Sequence, residues 1–400
     1  MKNLFGEKKY PYAFLYVWAT LICLFIVFGY VCINGGSALS QWFFSDIWDT
    51  GNDFFNCIPA VKGYGLGYWL VGQYPPMAKL FFLLVAHIYS HNNISLDAAI
   101  RNSITDPRMQ QAALVPFIIF LMLMMIFIIA LVSSMFKEEP MAFWIGSSVI
   151  GTYSILFAVE RGNIILLSFL FLMYFIAYYK SENKILKETA FWALAISAGL
   201  KLYPAAFGIL LLYEKRWKEA ARTILYGILA LIIPYLLVAR YLPAGEVGSA
   251  TSSVVEWAKK LAAGLFSVRS LPQQIFFAGS IIIALIGMIF ISIKGNKKNW
   301  VRMFYAGILA MICGIQFIYA YTYIFMIPAL ILFLKEERKL DVRNGIYFVL
   351  FCIINLPLPI FGVQKYETLP VVGDIKMWGL FVMMILLTVM ECFVHKKSEK

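Results

Sequence analysis

Long apolar stretches broken by short polar clusters set the pattern of this chain. Apolar runs cover 13–33, 112–135, 141–158, 163–180, 220–240, 274–293, 301–318, 321–334, 344–361 and 375–394. Many approach the roughly 20 residues that a helix needs to cross the hydrocarbon core of a bilayer. The run over 189–213 is different. It contains "FWALAISAGLKLYPAAFGILLLY", with Lys201 and Pro204 at its centre. A lysine at mid-bilayer costs about 3 kcal/mol or more, and a proline removes a backbone donor. Basic clusters flank this run on both sides, "KSENKILKE" before it and "EKRWKEAAR" after it. Loops rich in Lys and Arg stay in the cytoplasm, so both ends belong there and the run must fold back on itself. The pattern predicts two short helices with "LKLYP" at the far side. Irregular backbone survives at membrane depth only where it lines a cavity, which implies a water-accessible hollow.

The expected architecture is an all-α polytopic membrane protein of about twelve spans with both termini in the cytoplasm. The segments assigned to the cytoplasm hold most of the 34 Lys and Arg residues. "ERGN" (160–163) then turns on the outer side, as "LKLYP" does. Two long loops are also outside, 34–111 and 241–273. The first carries "YPPMAKLFFLLVAHIYS", too short and interrupted to span, and expected as a helix along the membrane surface. Residues 13–33 are too long for the apolar core of a signal peptide and are expected to stay as an anchor. No repeat, low-complexity tract or soluble domain interrupts the chain. It is expected as one integral-membrane domain over 1–400.

Composition agrees. Apolar residues make up 62% of the chain, charged residues 14%, and the mean hydropathy is +0.78. One soluble core does not have this composition. The net charge of +12 is scattered in short clusters between apolar runs, so it marks orientation and gives no reason to invoke nucleic acid. Of the six cysteines only Cys57 falls in a long polar segment, and no CxxC pair is present. Neither a disulfide framework nor a thiol-based metal site is expected. P-loop, GxGxxG, GxSxG and HExxH patterns are absent, which leaves nucleotide chemistry and hydrolase triads without support.

The polar groups costliest to place near a membrane collect on one side. They are Asp46, Asp49 and Asp53 in "SDIWDTGNDFFNCIP" (45–59), Glu160, Arg161 and Asn163 in the second turn, Lys201 and Tyr203 in the third, and Arg269 in the later loop. A carboxylate surrounded by cations suits general-base attack on an anionic substrate. The bland alternative is a helix-end pair at Glu160–Arg161 beside a solvated acidic loop. The three aspartates would share one face of a helix, and His87 and His91 are four apart. Neither set is completed as a metal site, and no metal or cofactor is expected.

Several of these elements resemble glycosyltransferase family 87. The likeness runs from an aspartate after the first span, through "DFFN" and "YPP", to "AGLKLYPAAFGILLLYEKRWKEA", over about residues 10–335, with C-terminal helices at about 344–394 beyond it. That family belongs to the GT-C superfamily, membrane helical bundles that take sugars from polyprenyl-phosphate carriers. "ERGN" and "KLYP" are also similar to turns in the mannosyltransferase of glycolipid-anchor synthesis. The resemblance implies a GT-C-type bundle whose site faces the extracytoplasmic side of the cytoplasmic membrane. It implies a polyprenyl-phosphate sugar donor, mannose above other hexoses, and a cell-envelope glycolipid or glycan acceptor. Asp53 matches the family's general base, with Asp46 and then Asp49 as fallbacks. Glu160, Arg161, Asn163, Lys201, Tyr203, Arg269 and Tyr321 are the expected substrate and phosphate ligands. Many members carry a histidine several residues before a proline where this chain reads "YAYTYIFMIP", with Tyr321 ahead of Pro328. A rival from another class is a lipid-linked sugar flippase, which should show paired broken helices in two related halves. Only one broken hairpin is visible.

Overall fold

A computed structural model of the chain describes residues 9–35, 50–55, 57, 74–89, 111–238, 279, 282–290, 298–313, 320–358 and 368–393. Among these residues all regular structure is helical. The long helices are α1 (Pro11–Asn34), α4 (Gln111–Met135) and α10 (Trp217–Val238). At 1.5 Å per residue, 22 residues or more reach past a ~30 Å hydrocarbon core. Their outward faces carry bare apolar side chains such as Phe25, Ile224 and Leu236, each at least 65% exposed. Water does not tolerate so continuous an apolar belt, and lipid chains do. The chain is a membrane protein.

Between these helices stand α5 (Ala142–Ile150), α6 (Tyr153–Arg161), α7 (Ile165–Tyr178) and α8 (Lys184–Leu200). α7 is buried on nearly all sides, with Ile165, Leu166, Phe169, Leu172, Met173 and Phe175 closed off from solvent. It is tied to α8 by a reciprocal pair: Ser168 Oγ donates to the Ser197 carbonyl at 3.0 Å, and Ser197 Oγ to the Ser168 carbonyl at 2.6 Å. Small hydroxyl residues at a helix contact let backbones approach closely in an apolar medium. Farther along lie α11 (Asn299–Cys313), α12 (Ile327–Glu336), α13 (Val342–Asn355) and α14 (Thr368–Leu387).

The expected twelve spans are not matched one for one. Among the described residues three helices are long and apolar enough to cross alone, and one bent pair adds a fourth. That pair is the run expected as a single span over 141–158. It breaks between α5 and α6 with a bend of 58°. The break falls at Gly151, where a Cβ would lie 2.6 Å from Thr20 Cγ2, so α1 presses into the bend. The run expected over 321–334 starts as a 3-10 turn, Ala320–Met326, before Pro328 opens α12. The hairpin region is broken as expected. α8 ends at Leu200, a 3-10 turn covers Tyr203–Gly208, and α9 (Ile209–Tyr213) completes it. Helix α3 (Pro76–Tyr89) forms where the surface helix is expected and buries Ala78, Lys79, Phe82 and Leu83 against the bundle.

In the C-terminal part, Lys376 of α14 is fully buried. Its Nζ donates to the carbonyls of Ile353, Ile354 and Leu356 at 3.0, 3.1 and 2.6 Å. These are terminal carbonyls of α13, which have no partner within their own helix. The same ammonium stands 4.7 Å from the ring centre of Tyr153 on α6.

Candidate functional site

Three chain breaks meet at one end of the bundle: the α6–α7 turn, the end of α8, and a single helical turn, α2 (Asn52–Phe55). The α6–α7 turn depends on Gly162, in the left-handed region at φ 63°. A Cβ there would stand 2.5 Å from Phe117 Cε2 and 2.9 Å from Phe54 Cβ, so backbone shape and close packing both require glycine. The Asn163 N–H returns to the Ala158 carbonyl at 2.9 Å, closing α6. Asn163 Oδ1 then accepts from the Ile165 N–H at 2.9 Å and caps the start of α7.

The same turn holds α2 in place. The Gly51 N–H donates to the Glu160 carbonyl at 2.7 Å, and Thr50 Oγ1 donates to Glu160 Oε1 at 3.2 Å. Phe54 is fully buried among Phe82, Phe117 and Phe120. These anchors aim Asp53 at the turn. Arg161 donates through Nε to Asp53 Oδ2 at 3.1 Å and through NH2 to Oδ1 at 3.0 Å, and Asn163 Nδ2 donates to Oδ2 at 2.6 Å. A two-pronged guanidinium fixes the plane of a carboxylate as well as its charge. A carboxylate offers about four acceptor positions. Among the described residues three are taken, and the one left is on Oδ1.

Lys201 caps α8 in an extended conformation, its N–H donating to the Ser197 carbonyl at 3.0 Å. Its side chain is only 8% exposed, and Nζ stands 4.3 Å from the ring centre of Tyr74. Pro75 and Pro76 follow Tyr74, and a following proline disfavours helical backbone at Tyr74, so α3 starts only after it. Burial pushes the Cys57 thiol up to about 12; Lys201 pulls it back and Asp53 adds to the rise. The Tyr74 phenol is raised well above its usual range, by burial first and then by Cys57, Asp53, Tyr321 and Tyr203. Asp53, Cys57, Tyr74, Lys201, Tyr203 and Tyr321 therefore share one electrostatic neighbourhood. Tyr321 packs 6.2 Å from Phe157 on α6, and Tyr203 lies edge-on to Phe325 at 6.1 Å.

The residues singled out in the sequence are thus distributed as follows. Asp53, Arg161 and Asn163 are in direct contact, with Lys201, Tyr203 and Tyr321 around them. Glu160 belongs to the turn but points at Thr50, as a strut for α2. Asp46, Asp49, Arg269 and His91 lie outside the described residues, and His87 sits on α3. Sequence reasoning missed Tyr74 and Cys57 as neighbours of Lys201, and the buried Lys79 on α3. Tyr74 was visible only as the first letter of "YPP"; nothing local ties it to a lysine more than a hundred residues away.

The sequence pattern of glycosyltransferase family 87 matches residues 73–313, more than half of the chain. The chain belongs to glycosyltransferase family 87. The glycosyltransferase match takes in Tyr74, Arg161, Asn163, Lys201 and Tyr203. It starts after Asp53 and ends before Tyr321, within the wider 10–335 that the motifs suggest. Membership favours the transferase over the flippase reading and is consistent with a GT-C-type enzyme. No curated protein matches the chain, and no solved structure matches it.

Proposed function

We propose that this glycosyltransferase moves a hexose, mannose being the expected sugar, from a polyprenyl-phosphate carrier to a glycolipid or glycan of the cell envelope. The observation that carries this reading is the Asp53 carboxylate, oriented by the Arg161 fork and Asn163 with one acceptor position left on Oδ1, beside the buried Lys201. The acceptor hydroxyl hydrogen-bonds to that open position and gives its proton to Asp53. Its oxygen forms the new bond to the anomeric carbon from the face opposite the leaving group. The carbon–oxygen bond to phosphate breaks, and the polyprenyl phosphate departs with the electron pair. Attack from the opposite face inverts the anomeric centre. A phosphate leaves as a stable anion without a proton, so one carboxylate suffices where glycosidases need two. Lys201, with Arg269 on the second outer loop, stabilises the charge that grows on the phosphate. Tyr203 and Tyr321 line the sugar. The fallback bases are Asp46 and Asp49.

The donor class is tested with purified protein and radiolabelled mannose on either polyprenyl phosphate or a nucleoside diphosphate. Incorporation into endogenous envelope lipids should require the polyprenyl donor, and the product should carry the anomeric configuration opposite to the donor's. Transfer from the nucleotide sugar alone, or retention of configuration, would overturn the donor or the mechanism respectively.

The site is proposed to face the extracytoplasmic side, with both chain termini in the cytoplasm. In a background without native cysteines, Leu202→Cys should react with an impermeant thiol reagent added to intact cells, whereas Ser181→Cys and Lys218→Cys should be protected. Labelling of Leu202→Cys only after permeabilisation would reverse the orientation.

A further inference from the structure

Lys201 and Lys376 are both buried, and the fold treats their ammonium groups differently. Lys376 Nζ donates to three carbonyls, so all of its donors are taken. Lys201 is only 8% exposed, yet among the described residues its Nζ makes no hydrogen bond and no ion pair. What it meets is the face of Tyr74, with 4.3 Å to the ring centre. An ammonium kept from water without acceptors is costly. The negative face of an aromatic ring offsets that cost, and most strongly where water is excluded. A ring face also differs from a carboxylate in a way that matters for transfer chemistry. It has no net charge, so the lysine keeps its own, and an arriving phosphate has no anion to displace.

The contact is built by close packing. α3 lies against α8 and α10 at Gly199, where a Cβ would stand 3.2 Å from Met77 Cβ and 3.2 Å from the Ala230 carbonyl oxygen. Gly199 is two residues before Lys201, and Met77 is three after Tyr74, so this close approach brings the two side chains within reach. Tyr74 is braced twice. Its ring stands edge-on to the fully buried Phe82 at 6.1 Å, and Phe82 in turn meets Phe54, the neighbour of Asp53. Its hydroxyl end sits beside the buried Cys57 thiol, and the Cys57 N–H returns to the Phe54 carbonyl at 3.1 Å. The aromatic seat of α2 is therefore also the support of the ring under Lys201.

We propose that Tyr74 is a positioning residue: its ring face seats the Lys201 ammonium and leaves the N–H donors open to the phosphate of the substrate. The proposal rests on the reading of Lys201 as the group that meets that phosphate. Tyr74 acts through the lysine.

The test reads the affinity of the full-length, detergent-purified protein for polyprenyl phosphate, the leaving product whatever sugar the donor carries. Tyr74→Leu removes the ring and should weaken binding about 10- to 30-fold, the strength of a desolvated cation–ring contact written as an affinity ratio. Tyr74→Phe keeps the ring face and should stay within about twofold of the wild type. Lys201→Met should weaken binding as well, and adding Tyr74→Leu to it should change nothing further, because both act through one contact. Tyr74→Phe carrying one, two or three ring fluorines keeps the shape while draining the negative face, so affinity should fall step by step. This series decides the matter even where Tyr74→Leu fails to fold. A flat fluorine series overturns the proposal, as does a loss in Tyr74→Phe equal to that in Tyr74→Leu. A full Tyr74→Leu loss on top of Lys201→Met overturns it too. These outcomes leave the phosphate role of Lys201 standing. Wild-type affinity in Lys201→Met would instead remove that role and the proposal with it. Absence of binding by the wild-type protein would remove the polyprenyl donor and both readings built on it.

Discussion

Asp53→Asn is expected to lower transfer by about 100-fold or more, the usual loss when a general base is removed. The substitution keeps the shape of the side chain and leaves Phe54 and Phe55 in their aromatic seat, so α2 stays docked. It removes the charge and one set of acceptor positions. Arg161 then loses its carboxylate, but both partners are partly exposed, at 19% and 18%, so solvent softens that loss and the fold survives. Initial rates are to be compared per folded molecule, with melting temperature read on the same sample. Turnover at the wild-type level would move the base to Asp46 or Asp49. Full activity in all three single variants would remove the carboxylate-base mechanism.

Lys201→Met is the second large effect, and it discriminates two uses of one buried ammonium. If Lys201 meets the departing phosphate, losing its charge should reduce turnover by about 100-fold, in the range found for removing one preorganised charge-stabilising donor. Methionine keeps most of the bulk of the side chain and can still lie on the Tyr74 ring. Lys201→Arg should recover part of the rate, since its charge persists while its planar fork differs from an ammonium. If the lysine only closes the C-terminal end of α8, the effect is on stability alone, about 0.3–1 kcal/mol. Unchanged turnover with a small shift in melting temperature would therefore take Lys201 out of the chemistry.

The legibility of the chain was uneven, for physical reasons. Lys201 and Pro204 in an apolar run announced a broken helix, because a bilayer leaves few other ways to place them. Flanking lysines said nothing about the bend at Gly151, where Thr20 of α1 packs close to a stretch of small and hydroxyl residues, GSSVIGTYS. Short apolar helices such as α7, with 14 residues, gave the same hydropathy signal as full spans. Apolar nearly all round, α7 has no polar stripe to mark where it ends. In the site, Asp53, Arg161 and Asn163 were legible as residue types in neighbouring turns. The fork that joins them was not, since it depends on Phe54 locking α2 and on Gly162 shaping the turn. Glu160 was legible as a member of that turn, but its contacts with Thr50 and Gly51 were not. Tyr74 was hidden because its partner is remote in sequence.

The saturated ammonium of Lys376 bears on how the protein is assembled. A charged side chain entering the bilayer alone is expelled or dragged to an interface. α14 can settle at its final depth only once the carbonyl end of α13 and the Tyr153 ring are already waiting to receive it. Insertion therefore has an order built into it, with the last helix acting as a check that the earlier ones have packed. A chain whose α13 has slipped by a turn would leave α14 unseated, exposed to the quality-control proteases of the membrane.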